Sequence, residues 1–263
     1  MIKLVCTDID GTILKSDYTF SSEVKNCMQE LTQKGVKVVL VTGRMHSAAK
    51  FIAKDLGLTT PVVSYQGGMI VEDETILYER NLPEQHACKI IDWARKNNAH
   101  LNLYTDDKLY VENDTYVVKK YAGERYTEYQ IKSFDTLPKN RVHKLLAINF
   151  EDANLVTRWR DEMIETFPDL YIVKSTPYFC EFSNLEASKY CAVKFLQKYW
   201  NLKDEEILCI GDQDNEIKLL EAAGTKIAMG NASEGLKKVA DFVTDTVEND
   251  GFVKAMRKYI LGE

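Results

Sequence analysis

Short apolar runs that end in Gly, Asp or Thr alternate in this chain with longer stretches of helical period. The runs are IKLVCTD, VKVVLVTGR, VVSYQGG, EILCIGD and KIAMGNA. Continuous apolar runs are typical of strands buried on both faces, as in a parallel sheet covered by helices. Between the first two runs, residues 21 to 34 predict a helix, with Ser21 and Ser22 as candidate caps and Gly35 at its end. A strand, a crossover helix and a parallel strand are therefore predicted before residue 45.

The middle of the chain has a different pattern. MIVEDETILYE and AHLNLYTDDKLYVE each place two short apolar runs around acidic turn residues, which predicts two antiparallel hairpins. A helix is predicted to begin near Pro83, between the hairpins. After a polar stretch at residues 123 to 141 come a strand at HKLLAINF, a helix near residues 152 to 166, and strands at DLYIVKST and YFCEFS. This segment predicts an α+β unit.

The first pattern returns near residue 188, so the two patterns predict two domains. We predict an α/β fold with a Rossmann-like parallel sheet core formed by residues 1–81 and 184–263. An α+β cap domain, residues 82–183, is inserted between the two parts of this core. The length of 263 residues supplies enough apolar side chains for two cores.

Composition and charge exclude several classes of partner. The net charge is −6, and the lysines and arginines are scattered among acids, so we expect no nucleic acid and no membrane as partner. The six cysteines form no CxxC pair and no zinc-type spacing with histidine, which predicts reduced thiols, mostly in the core. The sequence shows neither a signal peptide nor a spanning segment, so we expect a cytoplasmic protein. It carries no signal for an oligomeric state.

Polar side chains follow the ends of several predicted strands. Asp8 and Asp10 follow the first, TGR (residues 42–44) follows the second, and GDQDN (residues 211–215) follows a later one, while Lys189 opens a helix. In an open parallel sheet, ligands bind beyond the carboxyl ends of the strands. Acids that converge there raise one another's pKa unless a cation compensates, and carboxylate oxygens suit Mg²⁺.

A hydroxyl, a backbone amide beside Gly43 and a lysine ammonium suit a phosphoryl group. Together with carboxylates and Mg²⁺ they predict phosphoryl transfer. In that reaction a carboxylate can attack phosphorus and form an aspartyl-phosphate, which divides one difficult displacement into two easier ones.

The motifs DIDGT, TGR, Lys189 and GDQDN, in this order and at strand ends, resemble the four signature motifs of the haloacid dehalogenase-like phosphatases. The resemblance continues through KIAMGNA and ADFVTDTVENDG and so covers nearly all of the predicted core. The inserted unit resembles, in placement and strand style, the large cap of the Cof-type sugar-phosphate phosphatases of that superfamily. Each motif alone is far less specific than the ordered set.

The resemblance implies roles for the motif residues. Asp8 would be the nucleophile, and Asp10 would protonate the leaving alkoxide and then activate water. Mg²⁺ would be held by Asp8, Asp212 and the backbone carbonyl of Asp10. Phosphate or substrate would be bound with the help of a further set, in which Arg44 would either face the substrate or pair with an acid of the cap and Asn215 would assist at the phosphate or at the lysine. That set is Gly11, Thr42, Gly43, Arg44, Lys189 and Asn215.

Three positions depart from the family pattern. Gln66 stands where Asn is common, Tyr190 follows Lys189 where Gly is usual, and Glu216 replaces the Asp that usually follows Asn215. The extra methylene of Glu216 is expected to shift an acid close to the metal. Asp214 is equally suited to capping the next helix and to approaching the metal.

The sequence therefore predicts a magnesium-dependent phosphatase whose substrate is a small phosphate monoester, in particular a sugar phosphate. Two alternatives stay open at this point. One is a phosphomutase of the same superfamily, which would return the phosphoryl group to the sugar. The other is a weakly catalytic phosphate-binding or scaffold protein, for which Glu216 gives some motive.

Overall fold

The computed structural model describes residues 1–125 and 127–262 and divides into two compact units. One unit consists of Met1–Tyr78 and Ser188–Glu263, and the other of Glu79–Ala187. The predicted insertion, residues 82–183, falls inside the second unit. The chain thus leaves the first unit once and returns to it.

Both units contain strands and helices. The strands in chain order are β1 (Leu4–Thr7), β2 (Lys37–Leu40), β3 (Val62–Ser64), β4 (Met69–Glu72), β5 (Thr75–Glu79), β6 (His100–Thr105), β7 (Lys108–Val111), β8 (Gln130–Ile131), β9 (Val142–Ile148), β10 (Leu170–Thr176), β11 (Phe179–Asn184), β12 (Ile207–Gly211), β13 (Thr225–Ala228) and β14 (Phe242–Val243). The helices are α1 (Ser22–Gln33), α2 (His46–Asp55), α3 (Glu84–Lys96), α4 (Tyr116–Arg125), α5 (Ala153–Thr166), α6 (Lys189–Tyr199), α7 (Ile217–Glu221), α8 (Glu234–Val239) and α9 (Gly251–Met256).

The first unit is organised around a parallel sheet with the strand order β14-β13-β12-β1-β2. Leu4 of β1 pairs in parallel with Ile207 on one side and with Lys37 on the other. All four residues of β1 are buried, and each large apolar side chain removed from water contributes about 1.5–3 kcal/mol. The predicted α/β core with a parallel sheet is confirmed, and the carboxyl ends of β1, β2 and β12 lie at one edge.

The run VVSYQGG was predicted to add a strand to the parallel sheet, and this prediction is only partly right. Its strand β3 belongs to a separate sheet with the order β3-β4-β5, in which β3 and β4 are antiparallel. A single parallel bridge joins Val63 to Val41 beyond β2. The reason is a tight reversal after β3, where Tyr65 and Gln66 have φ values of 52° and 59°.

The second unit contains a sheet with the order β10-β11-β9-β6-β7-β8, in which α3 and α5 pack on one apolar face. The predicted hairpin of β6 and β7 is present, and its turn residues Asp106 and Asp107 have φ values of 50° and 53°. Such values are typical of the two-residue turn that matches strand twist. Helix α4 was not predicted, because the apolar residues of its sequence YVVKKYAGER are not confined to one face of the helix.

Within the described residues, the structure contains no helix that is both long and apolar enough to cross a membrane.

Candidate active site

The first unit brings Asp8 and Asp212 to the same edge of its parallel sheet. Asp8 follows β1 directly, and its amide donates to the carbonyl of Ile210 in β12 at 3.1 Å. Asp212 is the first residue after β12. Both carboxylates are buried, with Asp8 6% and Asp212 4% exposed. Parallel pairing of β1 with β12 therefore places two acids that are far apart in sequence at one point.

Lys189 reaches this point from the start of α6. Ser188 caps the helix by accepting a hydrogen bond from the amide of Cys191 at 3.2 Å. The Lys189 side chain is fully buried, and its Nζ donates to Asp8 Oδ1 and to Glu216 Oε1, both at 2.6 Å. A cation in the first turn of a helix is unfavourable to the helix dipole, and these two carboxylates compensate for it.

Asp8, Asp212 and Glu216 form a cluster in which one carboxylate oxygen of each lies within 4.8 Å of the others. Burial raises the pKa of Asp8 to about 7, although Lys189 acts in the opposite direction. Burial, together with the charge of Asp8, raises the pKa of Asp212 to about 7. Three carboxylates beside one ammonium leave excess negative charge, so the cluster favours a hard divalent cation at this point. Glu216 entered the sequence argument only as a departure from the family pattern.

Lys189 stays protonated in this surrounding. Burial alone would lower its pKa, but the charges of Asp8 and Glu216 outweigh burial and raise it well above the ordinary value. Burial likewise raises the pKa of Glu216. The ammonium group is therefore a permanent positive charge next to the predicted nucleophile.

Asp10 and Arg44 form a bidentate pair. Arg44 Nε donates to Asp10 Oδ2 at 2.8 Å, and Arg44 Nη2 donates to Asp10 Oδ1 at 2.5 Å. Burial would lower the pKa of Arg44, but its hydrogen bonds to Asp10 outweigh burial and raise it. Asp10 lies in the same unit as Arg44, so this ion pair is not the predicted pair with an acid of the cap. Pairing arises because β1 and β2 are neighbours and end side by side.

The Asp10 side chain is 53% exposed and lies outside the cluster of Asp8, Asp212 and Glu216. A fixed but accessible carboxylate can exchange protons with a ligand or with water. The metal contact predicted for Asp10 involves its backbone carbonyl and not this side chain.

Thr42 and Gly43 follow β2. The buried hydroxyl of Thr42 accepts a hydrogen bond from the amide of Arg44 at 3.2 Å. A Cβ placed on Gly43 would lie 2.5 Å from Nε2 of Gln66, so the Gln66 side chain packs against the Gly43 backbone. Gln66 is 1% exposed, and its backbone has a φ of 59°, in the left-handed region. Asn tolerates this backbone conformation better than Gln does. Gln66, which stands where the family pattern commonly has Asn, thus lies beside the predicted phosphate-binding turn.

Gly11 is required by two features of the turn after Asp10. Its φ is +74°, and a Cβ placed on it would lie 2.3 Å from Oδ2 of Asp212. Thr12 Oγ1 donates weakly to the other oxygen of Asp212 at 3.5 Å. The backbone of Gly11 therefore helps to confine the Asp212 carboxylate.

Gly11→Ala is expected to impair both stability and activity. The strained φ costs about 1–3 kcal/mol, and the added methyl group displaces Asp212. Urea unfolding and phosphate release measure the two effects. Gly35→Ala is a matched control, because Gly35 also has a positive φ of 78° but no atom within 4 Å of the added Cβ. An active Gly11→Ala protein, or loss of activity in the control, would contradict this interpretation.

The loop after β12 supplies two further predicted residues. Asn215 is 8% exposed, and its Oδ1 has no hydrogen-bond partner among the described residues. This oxygen can therefore accept a hydrogen bond. Asp214 accepts from the hydroxyl of Ser233, the N-cap residue of α8, at 2.5 Å and lies outside the acid cluster. Asp214 therefore contacts the start of α8, which is not the next helix, α7, that it was predicted to cap.

Asn231 was quoted within KIAMGNA but was given no role. Its Nδ2 donates to the carbonyl of Gly11 at 2.9 Å, and its Oδ1 accepts from the amide of Val247 at 2.8 Å. Asn231 thereby holds the turn after Asp10 in place.

Tyr190, which stands where the family pattern usually has Gly, is 38% exposed. Lys194 Nζ lies 5.7 Å from the centre of its ring. Tyr190 therefore extends toward solvent.

Comparison with known proteins agrees with this geometry. The family model described as haloacid dehalogenase-like hydrolase matches residues 5–256, which include every residue of the cluster. The chain belongs to the haloacid dehalogenase-like hydrolases. The family resemblance inferred from the motifs is thereby confirmed.

Two relatives of this haloacid dehalogenase-like hydrolase carry phosphatase names. Phosphatase YwpJ of Bacillus subtilis (strain 168) is 32% identical over 288 residues, covering 99% of this chain and 100% of the relative. The 5-amino-6-(5-phospho-D-ribitylamino)uracil phosphatase YcsE of the same organism is 29% identical over 266 residues, which cover 99% of this chain and 96% of YcsE. These similarities support phosphatase activity in this chain.

The fold of this chain is confirmed by its similarity to a solved structure. The haloacid dehalogenase-like hydrolase from Bacteroides thetaiotaomicron has a TM-score of 0.87 and is 27% identical, with 98% of this chain and 99% of that chain covered. The α/β fold is therefore shared over nearly all of this chain.

Metal binding is expected to depend on pH. The pKa of Asp8 and of Asp212 is about 7 in the folded protein without a cation, against an ordinary value of 3.8. Protonation of these two carboxyl groups therefore stabilises the folded state fully below pH 3.8, and this stabilisation is lost as pH rises through about 7. A divalent cation bound by these carboxylates would compete with the protons, so Mg²⁺ is expected to raise the melting temperature more at pH 8 than at pH 5.5. Equal shifts at the two pH values would contradict this prediction.

Proposed function

We propose that this chain is a magnesium-dependent phosphatase that hydrolyses small phosphorylated metabolites, in particular sugar phosphates, through an aspartyl-phosphate on Asp8. The observation that carries the proposal is the buried contact of 2.6 Å between Lys189 Nζ and Asp8 Oδ1 inside the acid cluster. A carboxylate beside a permanent cation and a metal-binding donor set is suited to attack an anionic phosphoryl group.

In the first step, an oxygen of Asp8 attacks phosphorus and the bond from phosphorus to the leaving oxygen breaks. Asp10 gives its proton to that oxygen, and the alcohol departs. In the second step, Asp10 takes a proton from water, which attacks the aspartyl-phosphate and releases inorganic phosphate. Arg44 holds the Asp10 carboxylate in one place through its two hydrogen bonds.

The remaining residues bind the phosphoryl group and the cation. The hydroxyl of Thr42 and the amides around Gly43 are proposed to donate to phosphoryl oxygens, and Asn215 to assist them. Lys189 neutralises charge shared between Asp8 and the phosphoryl group. Asp8, Asp212 and the backbone carbonyl of Asp10 would hold Mg²⁺. When bound, Mg²⁺ supplies charge neutralisation at the phosphoryl oxygens.

The inserted domain, residues 82–183, is proposed to select the substrate. YcsE is named for a substrate in which the phosphate is carried by a ribityl chain, a five-carbon polyol. A phosphate monoester on a polyol is chemically close to a sugar phosphate. This similarity supports small, hydroxyl-rich monoesters as the substrate class.

The test is phosphate release from an aryl phosphate and a panel of sugar and polyol phosphates, with Mg²⁺ and with EDTA. Magnesium-dependent release with a preference for sugar or polyol phosphates is expected. Transfer of the phosphoryl group to another position of the sugar, without free phosphate, would instead identify a phosphomutase. Binding of phosphate esters without turnover would identify a binding or scaffold protein.

A further inference from the structure

Each carboxylate oxygen of Glu216 has a partner. Oε1 accepts from Lys189 Nζ at 2.6 Å, and Oε2 accepts from the backbone amide of Gln213 at 2.8 Å. The residue is 1% exposed. The bond to Gln213 closes the short 3-10 helix Asp214–Glu216 at its start and so fixes the direction from which Glu216 approaches the lysine.

Lys189 carries its charge on a flexible four-carbon stem, so its ammonium group needs fixed partners to stay in one position. Asp8 and Glu216 provide them. Asp8 is also the proposed nucleophile, so its carboxylate is converted to an acyl phosphate during the proposed reaction and loses its full negative charge. Glu216 forms no bond to the phosphoryl group in the proposed reaction, so it is the partner of Lys189 that stays unchanged throughout.

We infer that Glu216 is a positioning residue that sets the place of the Lys189 ammonium beside Asp8, and that it is not a ligand of the divalent cation. This inference rests on the proposed function. It assigns the cation to the carboxylates of Asp8 and Asp212 only.

The hydrogen bonds of Asp8 and Glu216 differ in a way that supports this assignment of the cation. Lys189 contacts Oδ1 of Asp8, and among the described residues no hydrogen bond engages Oδ2 of Asp8. In Glu216, by contrast, the second oxygen is used by Gln213. An ammonium group 2.6 Å from Oε1 also repels a cation that approaches the same oxygen. Glu216 is therefore less able than Asp8 to offer an oxygen to the metal.

The strand before the loop leaves room for Glu216, because position 211 carries no side chain. A Cβ placed on Gly211 would lie 2.7 Å from Cβ and 2.6 Å from Cγ of Glu216. Any side chain at position 211 would push Glu216 away from its present position. Gly211 and Glu216 thus form a matched pair, which gives a way to move Glu216 without changing its charge.

The experiment compares Glu216→Asp and Gly211→Ala with the wild-type protein. Glu216→Asp keeps the charge but withdraws the carboxylate by one carbon–carbon bond, about 1.5 Å. We expect kcat to fall about 10–100-fold in Glu216→Asp, because misplacement of about 1 Å has effects of this size. The Mg²⁺ dissociation constant from calorimetry and KM should change by less than about threefold. Gly211→Ala should lower kcat in the same way, with unchanged metal affinity.

Asp214→Asn is the matched control, since it removes an acid from the same short helix without contact to Lys189; its kcat should stay near that of the wild-type protein. A tenfold loss of Mg²⁺ affinity in Glu216→Asp, with kcat restored by excess Mg²⁺, would show that Glu216 is a metal ligand and overturn the inference. Unchanged kcat in both variants would also overturn it.

Absence of magnesium-dependent turnover in the wild-type protein would instead contradict the proposed function. Calorimetry would still decide whether Glu216 binds the cation, because it requires no turnover. Melting temperatures of the variants separate these effects from loss of folding.

Discussion

Asp8→Asn is expected to reduce phosphate release by about 10⁴-fold or more, which is the scale seen when a nucleophile is removed. An amide oxygen does not attack phosphorus as a carboxylate does, and the substitution also removes one of the two anionic partners of Lys189. The shape of the side chain is kept, so the fold should persist. Phosphate release at saturating substrate and Mg²⁺ measures the effect.

Asp214→Asn serves as the control for Asp8→Asn, because it changes the same kind of side chain outside the acid cluster. Circular dichroism and thermal melting should show that both variants are folded. If Asp8→Asn kept more than about 1% of wild-type turnover, another group would have to form the covalent intermediate, and the proposed mechanism would be wrong.

Removal of the divalent cation is expected to have the second largest effect. Chelation by EDTA should lower turnover about 10²–10⁴-fold, since a bound metal stabilises the charge of the transition state by several kcal/mol. Added Mg²⁺ should restore turnover. Asp212→Asn should raise the Mg²⁺ concentration needed for half-maximal rate at least about tenfold, because Asp212 is a proposed ligand and the Lys189 ammonium donates to Asp8 and Glu216 instead.

Asp241→Asn is a suitable control for Asp212→Asn. Asp241 accepts a hydrogen bond from the amide of Lys226 in the same unit and lies outside the acid cluster. Its magnesium requirement should equal that of the wild-type protein. Turnover that persists in EDTA would refute metal dependence, and an unchanged magnesium requirement in Asp212→Asn would remove Asp212 from the ligand set.

The positions of Asp8, Asp212 and Lys189 could be predicted because each follows a strand or opens a helix. Once the apolar runs are read as parallel strands, their carboxyl ends must meet at one edge. The two-residue turn at Asp106 and Asp107 was predictable for a similarly local reason, since acidic turn residues between two apolar runs favour a tight hairpin.

The partners of Arg44 and Glu216 could not be predicted from the sequence. Arg44 has a long side chain, and only the register of β1 against β2 decides which acid it reaches. Glu216 was interpreted through its extra methylene alone, whereas its effect depends on the space left by Gly211 and on the position of Lys189. Helix α4 was missed because its burial, and not its own periodicity, stabilises it.

The pairing of β1 with β12 also has a consequence for biosynthesis. Leu4 pairs with Ile207, so the first strand to leave the ribosome lacks one neighbour until most of the chain exists. At about 5–20 residues per second this delay lasts roughly 10–40 s. During that time an apolar strand edge is open to wrong pairing, which makes β1 a site where nascent chains are expected to need chaperones. Incomplete chains that end before Lys189 lack the cation beside Asp8, so they should remain inert toward phosphate esters in the cell.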